Sequence, residues 1–288
     1  MNPVEELQAT ITDMVQPGKG ILAADESAPT IAKRFAAIGV DSTEENRRSY
    51  RSMLFTSPGL GEYVSGVILF EETLEQCADD GMPLPEVLAR QGIVPGIKVD
   101  KGKGPLANAP GDQITYGLDG LGERLQHYKT LGARFAKWRE VYPISDRNPT
   151  ALGIEANAEM LARYAAVCQS QGIVPIVEPE VLIDGEHSIE RSAEVIENVL
   201  HGVFHALHRH GVITECIVLK PSMVTPGKDN PEKASPEEVA AATVRVFRRA
   251  VPASVPGINF LSGGQTPEEA TANLNAMNAL FPDAPWEL

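Results

Sequence analysis

Seven short β-rich runs, separated by helix-like segments, recur about every 30 to 45 residues, and this alternation limits the possible folds more than any other feature of the 288-residue chain. The runs lie at residues 20–25, 64–70, 94–100, 134–141, 174–181, 216–220 and 257–262. Parallel strands need such crossover segments, so the alternation predicts an α/β fold built from repeated βα units. Length alone fits one or two domains. Because no long Pro-, Ser- or Gly-rich linker divides the chain, we expect a single domain spanning residues 1–288.

The helical segments carry recognisable start signals. Ser235 and Thr266 are each followed by proline and two glutamates, which predicts an N-cap, a first helical residue and a capping glutamate. Segments 155–171 and 188–209 have apolar residues at helical spacing, so each is expected to cover a sheet with one face. Residues 1–16 predict an amphipathic surface helix rather than a signal peptide.

Charge and cysteine content exclude several classes of partner. Lys and Arg number 25 against 39 Asp and Glu, and the net charge of −14 opposes binding to nucleic acid or to an anionic membrane surface. No run approaches the ~20 apolar residues of a membrane span. The three cysteines are widely spaced, which suggests neither a disulfide framework nor a thiolate zinc site and favours a reducing, cytoplasmic location.

Ionisable residues lie toward the carboxyl ends of the predicted strands, where a fully buried strand would be apolar. They are Asp25, Lys98, Asp100, Lys137, Arg139, Glu178, Glu180 and Lys220. Three of the strands place two charges two residues apart, and the period of a strand points both to the same face. In an α/β barrel that face is the lumen, whose C-terminal mouth holds the active site. The alternative, that single members are strand-end charges turned to solvent, stays open.

Lys220 is distinctive because it follows the apolar run 216–219 and precedes Pro221. This position delivers its amine from a buried strand into the mouth of the barrel. A lysine amine is a nucleophile only without its proton, a state that desolvation and a neighbouring cation such as Lys137 favour. The pattern therefore predicts an imine-forming lysine, with a lysine simply paired with glutamate as the alternative.

Two segments suggest phosphate binding. Ser262, Gly263 and Gly264 end a predicted strand just before the helix that starts at Thr266, so their backbone N–H groups suit an anion, although the same residues also fit a tight turn. A second set of hydroxyls and cations follows the first strand. It comprises Ser27, Thr30, Lys33 and Arg34. Together the two sets predict a substrate with two phosphates.

Other motifs are assigned no function. The glycines around Lys103 lack the third glycine of a dinucleotide fingerprint, and a loop is expected there. His201, His205 and His208 share a helical face, but no H-E-x-x-H pattern occurs, so we expect surface histidines, no metal and no cofactor.

Six motifs resemble class I fructose-1,6-bisphosphate aldolase, and the match runs through essentially the whole chain. They are GKGILAADES (18–27), GIKVDKG (96–102), FAKWR (135–139), VPIVEPE (174–180), LKP (219–221) and FLSGG (260–264). The resemblance implies a (β/α)8 TIM barrel and a metal-free, Schiff-base cleavage of the bisphosphate in glycolysis and gluconeogenesis. It also implies a homotetramer.

The resemblance further implies roles for individual residues. Lys220 matches the imine lysine and Glu178 the proton shuttle, and Glu180 is a close partner of the catalytic residues. Lys137 and Asp25 match residues that orient the substrate and assist C3–C4 cleavage. The phosphate-binding residues it implies are Ser262, Gly263 and Gly264 for the C1 phosphate, and Ser27, Thr30 and Lys98 for the far phosphate. Arg139 is also expected to bind the substrate or one of its phosphates.

The C-terminus is where the chain differs from the family pattern. The resemblance implies a further strand, with an arginine in a Ser-Tyr-Gly-Arg stretch, beyond the position of Leu288. We therefore expect a barrel whose eighth strand is truncated, begun by Trp286 and Leu288, with unpaired edges at 20–25 and 257–262. Two other functions are weighed: another Schiff-base barrel, such as a transaldolase or a deoxyribose-phosphate aldolase, and a non-enzymatic scaffold. Two phosphate sites and the complete set of ionisable motif residues argue against them.

Overall fold

A curled, seven-stranded parallel sheet dominates the structure, a computed structural model that describes residues 2–288. The strands are β1 (Gly20–Ala24), β2 (Val64–Leu69), β3 (Val94–Lys98), β4 (Lys103–Pro105), β5 (Gln113–Thr115), β6 (Phe135–Tyr142), β7 (Val174–Val181), β8 (Val218–Leu219) and β9 (Gly257–Ile258). The helices are α1 (Pro3–Met14), α2 (Ala28–Ala36), α3 (Glu44–Phe55), α4 (Leu60–Tyr63), α5 (Glu71–Leu74), α6 (Leu84–Ala89), α7 (Leu121–Thr130), α8 (Ala151–Ser170), α9 (Ile189–Arg209), α10 (Pro236–Ala250) and α11 (Pro267–Leu280).

Strand order in the large sheet is β1-β2-β3-β6-β7-β8-β9, so spatial neighbours are also successive strands of the sheet. Every neighbouring pair is parallel. This is the arrangement of a TIM-type barrel, which confirms the predicted fold class. Within residues 2–288, the outer edge of β1 has no strand partner, and β1 is accordingly much more exposed than β6 or β7.

Two predicted strands are shorter than expected. Residues 216–220 contribute only β8, because Thr214–Cys216 forms a 3₁₀ turn, and residues 257–262 contribute only β9. The ladder nevertheless continues irregularly past both strands. The Lys220 N–H donates to the Val177 carbonyl at 2.8 Å, and the Asn259 N–H donates to the Leu219 carbonyl at 2.9 Å.

The outer edge of β9 is not bare, contrary to the sequence-based expectation. The Ile258 N–H donates to the Glu287 carbonyl at 2.8 Å, and the Glu287 N–H donates to the Pro256 carbonyl at 3.1 Å. The bridge between Gly257 and Glu287 is parallel. Residues 286–288 therefore lie where a strand following β9 would lie.

The helix at the N-terminus closes one end of the barrel. Leu7, Ile11 and Met14 of α1 pack in one buried cluster with lumen-facing residues of several strands. The strand members of this cluster are Ile68, Val94, Phe135, Val174, Ile176 and Val218. The predicted amphipathic helix thus forms, but its apolar side fills the N-terminal end of the lumen and does not merely lie on the surface.

Local sequence signals specify the ends of the later helices. Ser235 and Thr266 are N-caps with complete capping boxes and a proline in the first turn, as predicted. Helix α9 begins after its N-cap Ser188, and α8 begins at Ala151, four residues before the predicted start. Lys103, predicted to lie in a loop, is in β4, which pairs with β5 as an antiparallel hairpin. None of the helices in the described residues is both long enough and apolar enough to cross a membrane.

Candidate active site

The two faces of the central strands have opposite character. On β6, Phe135 belongs to the apolar cluster inside the barrel, whereas Trp138 and Tyr142 belong to the cluster under the outer helices. Lys137 and Arg139 follow Phe135 at intervals of two and therefore face the lumen. The lumen is thus apolar at its N-terminal end and ionic at its C-terminal end.

The centre of the ionic end is a buried four-residue cluster. Lys137 Nζ lies 2.7 Å from Asp25 Oδ2 and 3.1 Å from Glu178 Oε2. The second oxygen of Glu178, Oε1, lies 3.0 Å from Lys220 Nζ. Lys137 lies in β6 and Glu178 in β7, whereas Asp25 and Lys220 are the residues that follow β1 and β8. Folding therefore joins residues that are up to 195 positions apart in sequence, from Asp25 to Lys220.

Burial and charge act against each other in this cluster. Burial disfavours the ionised form of Glu178, but the ammonium groups of Lys137 and Lys220 outweigh it and hold the pKa of Glu178 below its usual value. The pKa of Asp25 is also lowered, because burial would raise it but the positive charge of Lys137 outweighs this effect. Burial alone would lower the pKa of Lys137, but Glu178 and Asp25 raise it. At neutral pH both carboxyls are ionised and Lys137 is a cation.

One oxygen of Glu178 retains acceptor capacity. Glu178 Oε2 is buried and, within the described part of the chain, accepts no hydrogen bond, because its 3.1 Å approach to Lys137 is an ion-pair contact without hydrogen-bond geometry. A substrate hydroxyl brought to this point would meet an ionised, unsatisfied acceptor.

Two further pairs flank the cluster. Lys98 Nζ lies 2.6 Å from Asp100 Oδ1, and Arg139 Nε donates to Glu180 Oε2. Burial would lower the pKa of the Arg139 guanidinium, but its hydrogen bond to Glu180 raises it. Both pairs hold a cation at the mouth of the barrel, so the lumen-facing charges meet there and are not turned separately to solvent.

An open cavity of about 580 Å³ lies over this mouth. Its lining includes eight of the residues singled out from sequence: Asp25, Ser27, Thr30, Arg34, Lys98, Asp100, Lys137 and Arg139. Sequence reasoning missed Lys101 and Lys103, which also line it. Both are cations that follow Asp100 within three residues, in the segment that continues from β3 into the hairpin, and this proximity was the available signal.

The segment after β1 supplies the hydroxyl groups of the cavity. Ser27 is the N-cap of α2, and its side chain makes no capping bond to the helix. Its Oγ lies 3.2 Å from Thr30 Oγ1, and both residues line the cavity together with Arg34. Lys33 is exposed and does not line it.

The glycine loop after β9 does not line this cavity. Gly263 and Gly264 have φ of 60° and 98°, the left-handed region that favours glycine. Within residues 2–288 neither N–H has a hydrogen-bond partner, so both remain available to a ligand. The Leu261 N–H donates to the Pro221 carbonyl at 3.2 Å, which fixes the start of the loop next to Lys220. Gly264 itself borders a second cavity of about 490 Å³.

In the described residues, no three His, Cys, Asp or Glu side chains are grouped so that they could hold a metal ion. The histidines at 201, 205 and 208 are exposed along α9.

Comparisons with known proteins agree on one family. The family model described as fructose-bisphosphate aldolase class-I matches residues 6–288. A probable fructose-bisphosphate aldolase class 1 from Xanthomonas campestris is 55% identical, over 99% of this chain and 85% of its own length. A cytosolic fructose-bisphosphate aldolase from Arabidopsis thaliana is 56% identical, over 99% and 79%.

A solved structure is similar over almost the entire chain. The fructose-bisphosphate aldolase from Plasmodium falciparum, in a ternary complex with TRAP and a small-molecule inhibitor, superposes with a TM-score of 0.97 at 52% identity. The match covers 99% of this chain and 82% of that one.

Proposed function

Because this chain belongs to the class I fructose-bisphosphate aldolase family, we propose that it cleaves fructose 1,6-bisphosphate reversibly through a Schiff base on Lys220. The products are dihydroxyacetone phosphate and glyceraldehyde 3-phosphate, as in glycolysis and gluconeogenesis. The observation that carries this proposal is the buried carboxylate of Glu178, ionised and held between Lys137 and Lys220.

The first step is attack of the Lys220 amine on the keto carbon. The amine must lose a proton to attack, and Glu178 Oε1 at 3.0 Å is its acceptor. Glu178 then returns a proton to the hydroxyl of the carbinolamine, which leaves as water and produces the protonated imine. Lys137, held by two carboxylates, stays protonated and donates to substrate oxygens.

The second step is cleavage of the C3–C4 bond. The C4 hydroxyl loses its proton, the C3–C4 electron pair moves into the protonated imine, and the aldehyde departs. Asp25 and Lys137 orient that hydroxyl, and its proton passes to the unsatisfied Oε2 of Glu178. Glu178 then gives this proton to C3 of the enamine, and hydrolysis of the resulting imine releases dihydroxyacetone phosphate and the Lys220 amine.

The phosphates are assigned to the two ends of the site. Ser262 and the free N–H groups of Gly263 and Gly264 hold the C1 phosphate near Lys220. The far phosphate lies in the 580 Å³ cavity. Its proposed contacts are Ser27, Thr30, Lys98 and Arg139.

Location and assembly follow from the same family membership. We expect a cytoplasmic enzyme, in keeping with the cytosolic relative from Arabidopsis, and a homotetramer. Light scattering coupled to size exclusion tests the tetramer directly.

Borohydride trapping tests the Schiff base. Reduction in the presence of dihydroxyacetone phosphate is expected to add the mass of that ligand to the peptide containing Lys220, and Lys220→Arg removes the adduct. Reduction without the ligand is the control. Adduct mass on Lys137 or Lys98 contradicts the assignment. Cleavage assayed with and without a chelator tests metal independence, since an enzyme that needs a metal loses activity.

A further inference from the structure

Arg51 has a buried guanidinium group that contacts Glu26, a residue of the cavity wall, but does not itself line the cavity. Arg51 of α3 is only 1% exposed. Its Nη1 donates to Thr73 Oγ1 at 2.9 Å, and its Nη2 donates to Glu26 Oε2 at 2.8 Å. Burying a cation is costly, and a buried ion pair often adds little stability over an apolar replacement. Stability alone therefore does not account for an ion pair at this position.

Glu26 is shared between two arginines. Its Oε2 pairs with Arg51, and its Oε1 lies 3.0 Å from Arg34 Nη1. Arg34 is 61% exposed and lines the cavity, as Glu26 does. One carboxylate thus faces two guanidinium groups, which leaves one unit of positive charge in the trio.

The two oxygens of Glu26 contact different arginines, and this limits how Arg34 can pair with Glu26. A carboxylate with both oxygens free forms a two-point pair with arginine, which uses both sides of the fork. Because Arg51 occupies one oxygen, Arg34 is held by a single contact and keeps donors for a ligand. Thr73 in turn fixes Arg51, so the arrangement depends on α3 and α5 and not on the cavity wall.

We propose that Arg51 is a positioning residue for the phosphate farther from Lys220, and that it makes the enzyme select ketose bisphosphates over ketose monophosphates. It keeps Glu26 from neutralising Arg34, whose remaining donors and charge then face that phosphate. This inference rests on the proposed function, because the substrate class comes from there.

Arg51→Gln tests the proposal. Without Arg51, Glu26 turns both oxygens to Arg34, and we expect the KM for fructose 1,6-bisphosphate to rise about tenfold, the effect of one charge-assisted contact, with kcat nearly unchanged. Kinetics with fructose 1-phosphate stay as in the wild type, because that substrate has no far phosphate. Arg48→Gln on the same helix is the matched control, since Arg48 pairs with Glu45 and Asp79 and does not line the cavity.

A second substitution separates this role from a structural one. Glu26→Gln combined with Arg51→Gln removes both buried charges and releases Arg34, so the double variant regains most of the lost affinity. A merely structural Arg51 predicts further loss. Equal losses on both substrates, or no recovery in the double variant, overturn the proposal. If the Arg51→Gln variant unfolds below the assay temperature, Arg51→Lys replaces it. This variant keeps the positive charge but lacks the two-pronged guanidinium, so we expect an intermediate rise in KM.

Binding measured without turnover keeps the two proposals apart. Calorimetry with hexitol 1,6-bisphosphate and hexitol 1-phosphate, neither of which can be cleaved, gives the ratio of their Kd values. Arg51→Gln is expected to reduce this preference about tenfold. An unchanged preference contradicts the role of Arg51. A wild-type protein that shows the preference but cleaves no ketose phosphate contradicts only the proposed function.

Discussion

Glu178 has the contacts of a proton carrier: a lysine at each oxygen, complete burial and a pKa held down by charge against the effect of burial. Glu178→Gln keeps the shape and removes the titration. We expect kcat to fall by about 10²–10⁴, with a smaller change in KM, because proton transfer is lost and binding contacts largely remain. Steady-state cleavage of fructose 1,6-bisphosphate measures both quantities.

Glu178→Asp is the matched control for charge. It keeps the carboxylate but shortens its reach, so its kcat is expected to lie between those of the wild type and the Gln variant. An unchanged kcat with a raised KM in Glu178→Gln would assign this residue to binding.

Glu140 is a second buried carboxyl, on the outer face of β6 and outside the proposed chemistry. Its oxygens accept from Trp138 Nε1 at 2.8 Å and from the Thr115 N–H at 3.1 Å. Burial raises the pKa of Glu140 from 4.5 to about 7; the two hydrogen bonds lower it, and the nearby charge of Asp100 raises it further. The folded state therefore keeps this proton at a pH where the unfolded chain has released it.

The consequence is a fall in stability with rising pH. Between pH 4.5 and about 7 the folded state binds more protons than the unfolded state, so the free energy of unfolding decreases across that window. The contribution is largest below pH 4.5 and is lost above about 7, to an extent of roughly 3 kcal/mol. Glu140→Gln, which cannot ionise, is expected to abolish this part of the pH dependence.

Urea unfolding at about pH 5 and about pH 8 measures it. The stability of Glu140→Gln relative to the wild type should improve on going to the higher pH. The same relative stability at both values would show that Glu140 does not hold its proton.

At the scale of elements, α1 packs into the N-terminal end of the barrel lumen. Leu7 and Met14 lie in the apolar cluster that fills the N-terminal end of the lumen. Leu7→Ala is expected to lower the free energy of unfolding by about 2–5 kcal/mol, because it leaves a cavity among strand residues that cannot close around it. Urea unfolding measures this cost.

The same helix supplies the control. Val4→Ala changes a residue that is 41% exposed and should cost far less. The kcat of both variants should stay near that of the wild type, because the ionic end of the lumen lies at the opposite end of the strands. Similar costs for the two substitutions would mean that α1 is not packed into the barrel.

For the whole molecule, the sign of the charge differs between the cavity and the chain. The net charge is −14. The 580 Å³ cavity is lined by six cationic side chains and four carboxylates, a local excess of two positive charges. A bisphosphate is therefore repelled by the molecule at large and attracted by the site.

The dependence of KM on salt concentration should distinguish attraction by the cavity from repulsion by the whole chain. Raising potassium chloride from about 0.01 M to about 1 M shortens the screening length from about 30 Å to about 3 Å. We expect the KM for fructose 1,6-bisphosphate to rise severalfold, because the attraction at the cavity acts over the shorter distance and dominates productive binding. The KM for fructose 1-phosphate should rise less, and kcat should change little. A KM that falls with salt would show that the repulsion by the whole chain dominates.

The sequence by itself determined the alternation of seven strands with helices along the chain, the helix caps at Ser235 and Thr266, and the face on which Lys137 and Glu178 lie. These properties are local: a period of two fixes the face of a strand, and a cap needs only residues three positions apart. Family motifs supplied the rest of the expected chemistry, because they carry information that spacing does not.

Only the tertiary structure decided which charges share a partner. The burial of Arg51, its division of Glu26 with Arg34, and the raised pKa of Glu140 depend on elements far apart in sequence. Helix α3 also carries Arg47 and Arg48, so by pattern Arg51 belongs to an ordinary charged surface helix. Ion pairing and burial depend on which residues pack against a side chain, and the periodicity of the sequence does not show which residues these are.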